Sequence, residues 1–255
     1  MASFAARDLL GLRRSPKGEP RAVPPGHRIY AIGDIHGRRD LLDTLLHDIE
    51  DDCAGSEQTA VIVFLGDYID RGPDSKGVVD RLLNLPARFQ GKFLRGNHDQ
   101  ALLDFLADPA SYKGWCGFGA DETLTSYGVR PPRDHSELTL CDARDRFVKA
   151  LPADHLHFFR TLPLSWEIGD YFFAHAGVRP GTPLNEQKED DLLWIREEFL
   201  RSSEDFGKVV VHGHTPADAP VKKANRIGID TGAYLTGRLT AVVLDGQNQR
   251  FLQTD

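Results

Sequence analysis

The sequence predicts an α/β domain whose functional groups lie at the ends of strands. A short apolar run, a polar glycine-containing loop and a segment of helical periodicity follow one another three times in roughly the first hundred residues, which is the order of βαβ units. A later group of apolar runs, between residues 164 and 244, predicts further strands of the same domain. In such folds the functional loops lie at the carboxyl ends of the strands.

The first half of the chain contains the three predicted strand–loop–helix units. Their strands are 28–32, 60–65 and 92–95, and their helices are 40–50, 78–85 and 100–106. The second strand (AVIVFL) is apolar throughout, as expected of a strand that is buried on both faces. The first helix has apolar residues at helical spacing, and Asp40 is its predicted N-cap.

The segment 108–152 is less regular, and we predict a largely helical insertion that walls one side of the functional site. The later elements are a hairpin of strands 164–168 and 171–174, a helix at 190–200, and strands at 209–211, 226–230 and 239–244. We find no internal repeat and no second domain. We therefore expect a single catalytic domain, 27–255, after a flexible Pro/Gly-rich N-terminal arm, 1–26.

Composition excludes several classes of protein. Apolar residues make up 40% of the 255 positions and charged residues 27%, as is ordinary for a soluble globular protein. A net charge of −7 argues against nucleic-acid binding through a general basic surface. The three cysteines have no CxxC spacing, and no run approaches the roughly 18 apolar residues of a membrane span. We expect a cytoplasmic protein, monomeric or a simple homo-oligomer, that binds neither nucleic acid nor membranes.

Five short polar clusters combine Asp, Asn or His with glycine, and most of them follow an apolar run directly. They are Gly33-Asp34-Ile35-His36-Gly37, Gly66-Asp67-Tyr68-Ile69-Asp70-Arg71-Gly72, Gly96-Asn97-His98-Asp99, His175-Ala176-Gly177 and His212-Gly213-His214-Thr215. Carboxylate, amide and imidazole ligands together suit Mn, Fe or Zn. Several strand ends that deliver such ligands to one place are typical of a two-metal hydrolase centre acting on phosphate esters.

Each cluster alone has a simpler interpretation. Asp34 is a candidate for an Asx turn, and Asn97 for the N-cap of the helix that follows it. His175 could be a buried core histidine, and His212 and His214 could be surface residues. All of these interpretations would have to hold together, so we prefer a shared metal centre.

The order of the motifs GDxHG, GDxxDRG, GNH, HxG and GH resembles that of the phosphoprotein phosphatase family of metallophosphoesterases. The resemblance covers about residues 28–244, and Arg71 and the stretch 229–233 (IDTGA) resemble its bacterial and phage members. It implies the calcineurin-like fold, in which two mixed sheets form a β-sandwich flanked by helices. A di-metal site is then expected at one edge of the sandwich.

The resemblance also implies which residues bind the metals. One metal would be held by Asp34, His36 and Asp67, and the other by Asp67, Asn97, His175 and His214. Asp67 would bridge the two ions, since a carboxylate has two oxygens. The expected cofactors are two Mn²⁺ ions, with Fe or Zn as alternatives.

Further roles follow from the same resemblance. Arg71 and Arg196 would bind phosphate oxygens through their guanidinium groups. For the second of these roles, Arg160, Arg179 and Arg201 are alternatives. His98 would protonate the leaving oxygen, and Asp70 would orient its imidazole ring.

The resemblance implies a metal-dependent phosphomonoester hydrolase, and we expect a protein serine/threonine phosphatase whose partner is a phosphorylated protein or peptide. In-line attack by a hydroxide that bridges the metals is the expected reaction. A diadenosine tetraphosphate hydrolase is the first alternative, but that branch typically lacks the carboxylate before Arg-Gly that is Asp70 here. A phosphotyrosine-preferring enzyme is a second. A non-catalytic binding module would be expected to have lost a ligand residue, and acidity disfavours a nucleic-acid phosphodiesterase.

Overall fold

The computed structural model describes residues 21–254, and two five-stranded sheets form the centre of that part of the chain. The first sheet consists of β1 (His27–Ile32), β2 (Thr59–Phe64), β3 (Gln90–Phe93), β9 (Thr240–Asp245) and β10 (Asn248–Gln253), in the order β10-β9-β1-β2-β3. The second consists of β4 (Ser165–Ile168), β5 (Tyr171–Ala174), β6 (Val209–His212), β7 (Val221–Lys222) and β8 (Arg226–Gly228), in the order β4-β5-β6-β8-β7.

Both sheets are mixed, with parallel strands at their centres. β1 pairs in parallel with β2, and β2 with β3, whereas β9 runs antiparallel to β1 and to β10. In the second sheet β5, β6 and β8 are parallel, and β4 and β7 are antiparallel edge strands. Parallel neighbours end at the same edge of a sheet, so the loops after β1, β2 and β3 emerge together.

Side-chain alternation explains why the central strands are apolar throughout. Ile29 and Val61 in the first sheet pack against Phe173 and Val211 in the second, which forms the layer between the sheets. The side chains between them along β1 and β2, such as that of Tyr30, point the other way and pack against helices. Strands that bury both faces need apolar residues at every position. The predicted sandwich of two mixed sheets is confirmed.

Helices cover the outer faces of the sandwich. They are α1 (Arg39–Asp52), α2 (Ser75–Leu83), α3 (Asn97–Ala107), α4 (Tyr112–Trp115), α5 (Ala120–Ser126), α6 (Glu137–Ala150), α7 (Ala153–Thr161), α8 (Glu189–Trp194), α9 (Glu197–Arg201) and α10 (Ala233–Thr236). The insertion 108–152 is largely helical, as predicted. The elements α7, α10, β7 and β10 were not predicted from the sequence.

Two details of the predicted helices were wrong. Asp40 is not the N-cap of α1, because Arg38 occupies that position and Asp40 lies in the first turn, where it accepts two hydrogen bonds from Arg38. The helix predicted at 190–200 is two helices, α8 and α9. Ile195 leaves α8 with extended backbone (ψ 142°) and buries its side chain, and Arg196 adopts φ −133° and ψ −100°. This break turns Arg196 toward the site described below.

Most of the predicted N-terminal arm, residues 1–20, lies outside the described residues. The rest of it contacts the domain: Val23 is buried and its N–H donates to Gly246 O, while Ala22 N–H donates to Asp170 Oδ2. Residues 21–24 are therefore packed against the sandwich. Between residues 21 and 254, none of the helices combines the length and apolar character that crossing a membrane requires.

Candidate metal centre

The predicted ligand residues come together at the carboxyl ends of the central parallel strands. Asp34 and His36 follow β1, Asp67 follows β2, Asn97 begins α3 after β3, His175 follows β5 and His214 follows β6. All six side chains are buried. The strand ends of both sheets thus contribute to one polar cluster, as the sequence predicted.

Two candidate metal-binding groups of side chains share Asp67. His36, Asp67 and His98 form one group, and Asp67, His175 and His214 form the other, with the ligand atoms of each group within 4.8 Å of one another. Asp67 Oδ2 lies 3.5 Å from Nε2 of both His36 and His175. A carboxylate that bridges two metal ions would need this central position.

The hydrogen bonds of His36 and His175 leave the ring nitrogens that face Asp67 unprotonated. His36 Nδ1 donates to Ile69 O (2.8 Å) and His175 Nδ1 donates to Leu65 O (3.0 Å), so each neutral ring turns an Nε2 lone pair toward Asp67. Burial, followed by the charges of His98 and Arg71, lowers the pKa of His36 to about 3. Lone pairs that converge on a carboxylate repel one another unless a cation lies between them. The donor set therefore fits bound metal.

Asn97 adds an oxygen to the second group. Its Oδ1 lies 2.8 Å from His175 Nε2 and 2.9 Å from His214 Nδ1. Asn97 is the first residue of α3 and Gly96 is the N-cap, so the helix-capping interpretation of Asn97 does not hold. Burial lowers the pKa of His214 to about 2.

Asp34 has a different environment from the other predicted ligands. Within residues 21–254 it belongs to neither of the two groups, and its carboxylate accepts a hydrogen bond from His214 N–H at 3.0 Å. Burial and the nearby charges of Asp230 and Asp67 raise its pKa. Burial also raises the pKa of Asp230 to about 6. Asp230 is a buried carboxylate of the site that sequence reasoning left without a role, although it lies in the IDTGA stretch.

His98 and Asp70 form a closely bonded pair. His98 Nδ1 donates to Asp70 Oδ2 at 2.7 Å, which leaves Nε2 facing the site, 3.8 Å from Asp67 Oδ2. Burial acts to lower the pKa of His98, but the charges of Asp67 and Asp70 outweigh it and raise the pKa above the ordinary histidine value. Asp70 also accepts hydrogen bonds from Trp115 and Thr123 of the insertion, which sequence reasoning did not foresee.

Arg71 lies at the mouth of the site. Its Nη2 is 3.5 Å from His98 Nε2, and its guanidinium lies 4.5 Å above the ring of Tyr234. Tyr234 also contacts His36 edge to face, so this tyrosine is a further site residue that the sequence analysis missed.

Arg196 reaches the site from the break between α8 and α9. Its Nε lies 3.1 Å from His214 Nε2. Among the alternatives, Arg179 is held by Asp191 and Glu198 and Arg201 pairs with Glu197 on an exposed surface; Arg160 is exposed on α7. Of these four arginines, Arg196 is thus the one that has a contact with a metal-binding group.

Backbone strain is concentrated at this site. Within residues 21–254, the non-glycine residues with positive φ are His36, Asp67, Asp70, Arg71 and His214. Such conformations cost free energy and persist where the surrounding structure enforces them, which is characteristic of functional sites. Two glycines allow the close contacts: a Cβ on Gly96 would lie 2.0 Å from Asp67 Oδ1, and one on Gly213 would lie 2.0 Å from Asp34 Oδ1.

Comparisons with known proteins identify the family of the chain. Residues 27–242 match the calcineurin-like phosphoesterase family. The chain is 31% identical to serine/threonine-protein phosphatase 1 of Salmonella typhimurium, over 83% of this chain and 89% of that protein. It is 27% identical to the asymmetrical bis(5'-nucleosyl)-tetraphosphatase PrpE of Bacillus subtilis, over 82% of this chain and 87% of that protein.

The fold also matches solved structures. The cold-active protein-tyrosine phosphatase of a psychrophilic Shewanella species superimposes with a TM-score of 0.60 at 16% identity, covering 91% of this chain and 82% of that one. At this identity the match shows the shared fold. Together, the family match, the similarity to the Salmonella protein and the buried candidate metal-binding groups establish that the chain belongs to the calcineurin-like phosphoesterase family and is a metal-dependent phosphoester hydrolase.

Proposed function

We propose that this protein is a protein serine/threonine phosphatase that uses two metal ions, with Mn²⁺ as the expected ion. The observation that carries the proposal is the bond between His98 and Asp70, which presents an imidazole Nε2 to the site. Serine and threonine leave as alkoxides, which need a proton, whereas the phosphate groups released from a dinucleotide are better leaving groups. A general acid of this kind is therefore most useful on a phosphorylated serine or threonine.

We propose the six ligands that the sequence predicted as the residues that bind the metals. Asp34, His36 and Asp67 would hold one ion, and Asp67, Asn97, His175 and His214 would hold the other. When bound, the ions supply an activated water and positive charge that stabilises the phosphoryl oxygens. The chain fixes the positions of two of these ligands, His36 and His175, by hydrogen bonds to the carbonyl oxygens of Ile69 and Leu65.

Two arginines and one histidine would act on the substrate itself. Arg71 lies beside His98 and Arg196 lies beside His214. Both arginines would bind the phosphoryl oxygens. His98 would donate its Nε2 proton to the leaving oxygen while Asp70 keeps the ring in place. These roles require no cysteine nucleophile, and Cys53, Cys116 and Cys141 are free thiols, in keeping with the cytosolic location that we propose.

One observation favours the alternative substrate class. Trp194 is 41% exposed and packs near His214, and its ring lies 5.7 Å from that of Phe118, which in turn contacts His98. Exposed aromatic rings beside a phosphate site can stack on a nucleobase or on a tyrosyl ring. The relative from Bacillus subtilis is named as a dinucleoside tetraphosphatase. Dinucleoside tetraphosphate hydrolysis is therefore the second candidate, and phosphotyrosine hydrolysis the third.

The test is phosphate release from a phosphoserine peptide, a phosphotyrosine peptide and diadenosine tetraphosphate, measured with Mn²⁺ and with a chelator. We expect chelator-sensitive turnover that is fastest on the phosphoserine peptide. Turnover of the dinucleotide alone, or a clear preference for phosphotyrosine, would contradict the proposal in favour of the corresponding alternative. His157→Asn, on the exposed face of α7, is the matched control for any histidine variant of the site.

A further inference from the structure

The carboxylate of Asp70 has three hydrogen-bond donors on three different elements. Its Oδ2 accepts from His98 Nδ1 (2.7 Å) and from Trp115 Nε1 (2.8 Å), and its Oδ1 accepts from Thr123 Oγ1 (2.6 Å). All four side chains are almost completely buried. Both oxygens of Asp70 are thus fixed, one by the catalytic histidine together with Trp115 and the other by Thr123.

The same threonine also holds the backbone of Asp70. Asp70 N–H points to Thr123 Oγ1 (2.9 Å) and Ser75 Oγ (3.1 Å), and the two hydroxyl oxygens lie 3.1 Å apart. Thr123 has one hydroxyl hydrogen, which goes to the carboxylate, so Ser75 must be the donor between the two hydroxyls. This arrangement secures the positive φ of 72° at Asp70.

Trp115 and Thr123 belong to the helical insertion, 45 and 53 residues after Asp70. Trp115 is anchored there by aromatic contact with Phe105, at 5.3 Å between ring centroids. Between the two residues, Gly119 O accepts a hydrogen bond from Arg71 N–H. The insertion therefore holds the strained turn at Asp70 and Arg71 through hydrogen bonds with Trp115, Thr123 and Gly119.

We propose that Trp115 and Thr123 are positioning residues for proton transfer, which hold the carboxylate of Asp70 in the plane that aims His98 at the leaving oxygen. The proposal rests on the function proposed above, in which His98 is the general acid. A carboxylate bonded only to His98 could rotate about its broad terminal torsion. Donors on both of its oxygens remove that freedom, and small misplacements of a catalytic group are costly.

The substitutions are chosen to remove single hydrogen bonds while keeping shape. Thr123→Val removes the hydroxyl and keeps the branched side chain, and Thr123→Ser restores a hydroxyl. Trp115→Phe removes the indole N–H and keeps an aromatic ring. Tyr112→Phe is the matched control, because it removes a hydroxyl from the same insertion that bonds Asp121 and not Asp70.

The measurement compares two phosphomonoesters, 4-nitrophenyl phosphate, whose leaving group needs little protonation, and a phosphoserine peptide, whose leaving group needs much. We expect Thr123→Val and Trp115→Phe to lower kcat about tenfold on the peptide and less than about threefold on the aryl ester. Thr123→Ser should recover most of the loss, and Tyr112→Phe should behave as wild type. In a His98→Asn background, Thr123→Val should cost nothing further, because the acid it positions is absent.

Equal losses on the two esters, or additive losses in the His98→Asn background, would overturn the positioning role and leave a structural one. A wild-type protein that hydrolyses neither monoester would instead contradict the proposed function. A metal-free readout separates the two cases: the indole N–H resonance of Trp115 should shift upfield in Asp70→Asn, where the charged acceptor is lost. An unchanged resonance would overturn the contact itself.

Discussion

Nδ1 of His98 lies 2.7 Å from Oδ2 of Asp70, although the two residues are 28 positions apart in the chain. The contact joins the loop after β2 to the first turn of α3. It settles which nitrogen of His98 faces the site, because a carboxylate only accepts hydrogen bonds and Nδ1 must therefore carry the proton. Nε2 is then the atom that can exchange a proton with a substrate.

Replacing His98 with Asn should affect substrates according to their leaving groups. We expect kcat to fall about 100-fold on a phosphoserine peptide and much less on an aryl phosphate, since general acid catalysis of an alkoxide departure is what is lost. Steady-state kinetics on both substrates measures this, with His157→Asn as the control. A loss of the same size on both would argue that His98 is a metal ligand rather than an acid, because it also lies in a candidate metal group.

Asp67→Asn should remove at least one metal ion per chain and most of the activity. Asp67 Oδ2 is the atom that the two candidate groups share, and an amide cannot bridge two cations as a carboxylate does. Metal content by mass spectrometry and turnover with Mn²⁺ measure the effect. Asp142→Asn, on the surface of α6, is the control. Two ions and near-normal turnover in Asp67→Asn would contradict the ligand assignment.

Arg196→Gln should weaken phosphate binding, whereas Arg201→Gln should not. Arg196 reaches His214, and Arg201 is an exposed residue paired with Glu197. We expect kcat/KM to fall about tenfold in Arg196→Gln and the inhibition constant of inorganic phosphate to rise by a similar factor, because a charged hydrogen bond to phosphate is lost. An unchanged inhibition constant for phosphate would exclude this role for Arg196.

Asp230→Asn should stabilise the metal-free protein, and only above about pH 4. Burial raises the pKa of Asp230 to about 6, so its ionisation in the folded protein begins later than the value of about 4 expected for the unfolded chain. Stability is then highest while Asp230 is protonated and declines as the pH rises through 4 to 6. Asparagine does not ionise and avoids this penalty, which is up to about 3 kcal/mol above pH 6.

Urea unfolding in the presence of a chelator, at several pH values from 4 to 7.5, measures this difference. The free energies of unfolding of Asp230→Asn and wild type should be similar at pH 4 and diverge by pH 6. A constant difference across the range, or a less stable variant at pH 7.5, would show that burial does not raise the pKa of Asp230. Asp142→Asn again provides the exposed control.

The local elements were largely predictable because their signals are local. The apolar run 60–65 marks a strand buried on both faces, and the apolar spacing in α1 marks a helix. The errors also have local causes. Asp40 is a good N-cap by residue type, but Arg38 occupies the N-cap position and its side chain donates a hydrogen bond to Asp40. The periodicity of 190–200 continues across Ile195, whose burial and extended backbone end α8. β10 is a mostly polar edge strand of exposed and half-buried residues, so its sequence has little of the apolar pattern that predicts a strand.

By itself, the sequence determined the residue types of the candidate metal site and their order, because most of the predicted ligands lie close after an apolar strand and beside glycine. What only the tertiary structure decided is which side chains complete that site. Trp115 and Thr123 reach Asp70 from an insertion with no motif, Asp230 lies beside Asp34, and Arg196 reaches His214 through a helix break. These contacts join segments far apart in the chain, and the strained backbone at Asp70 depends on them. Local sequence patterns do not predict contacts between such distant segments.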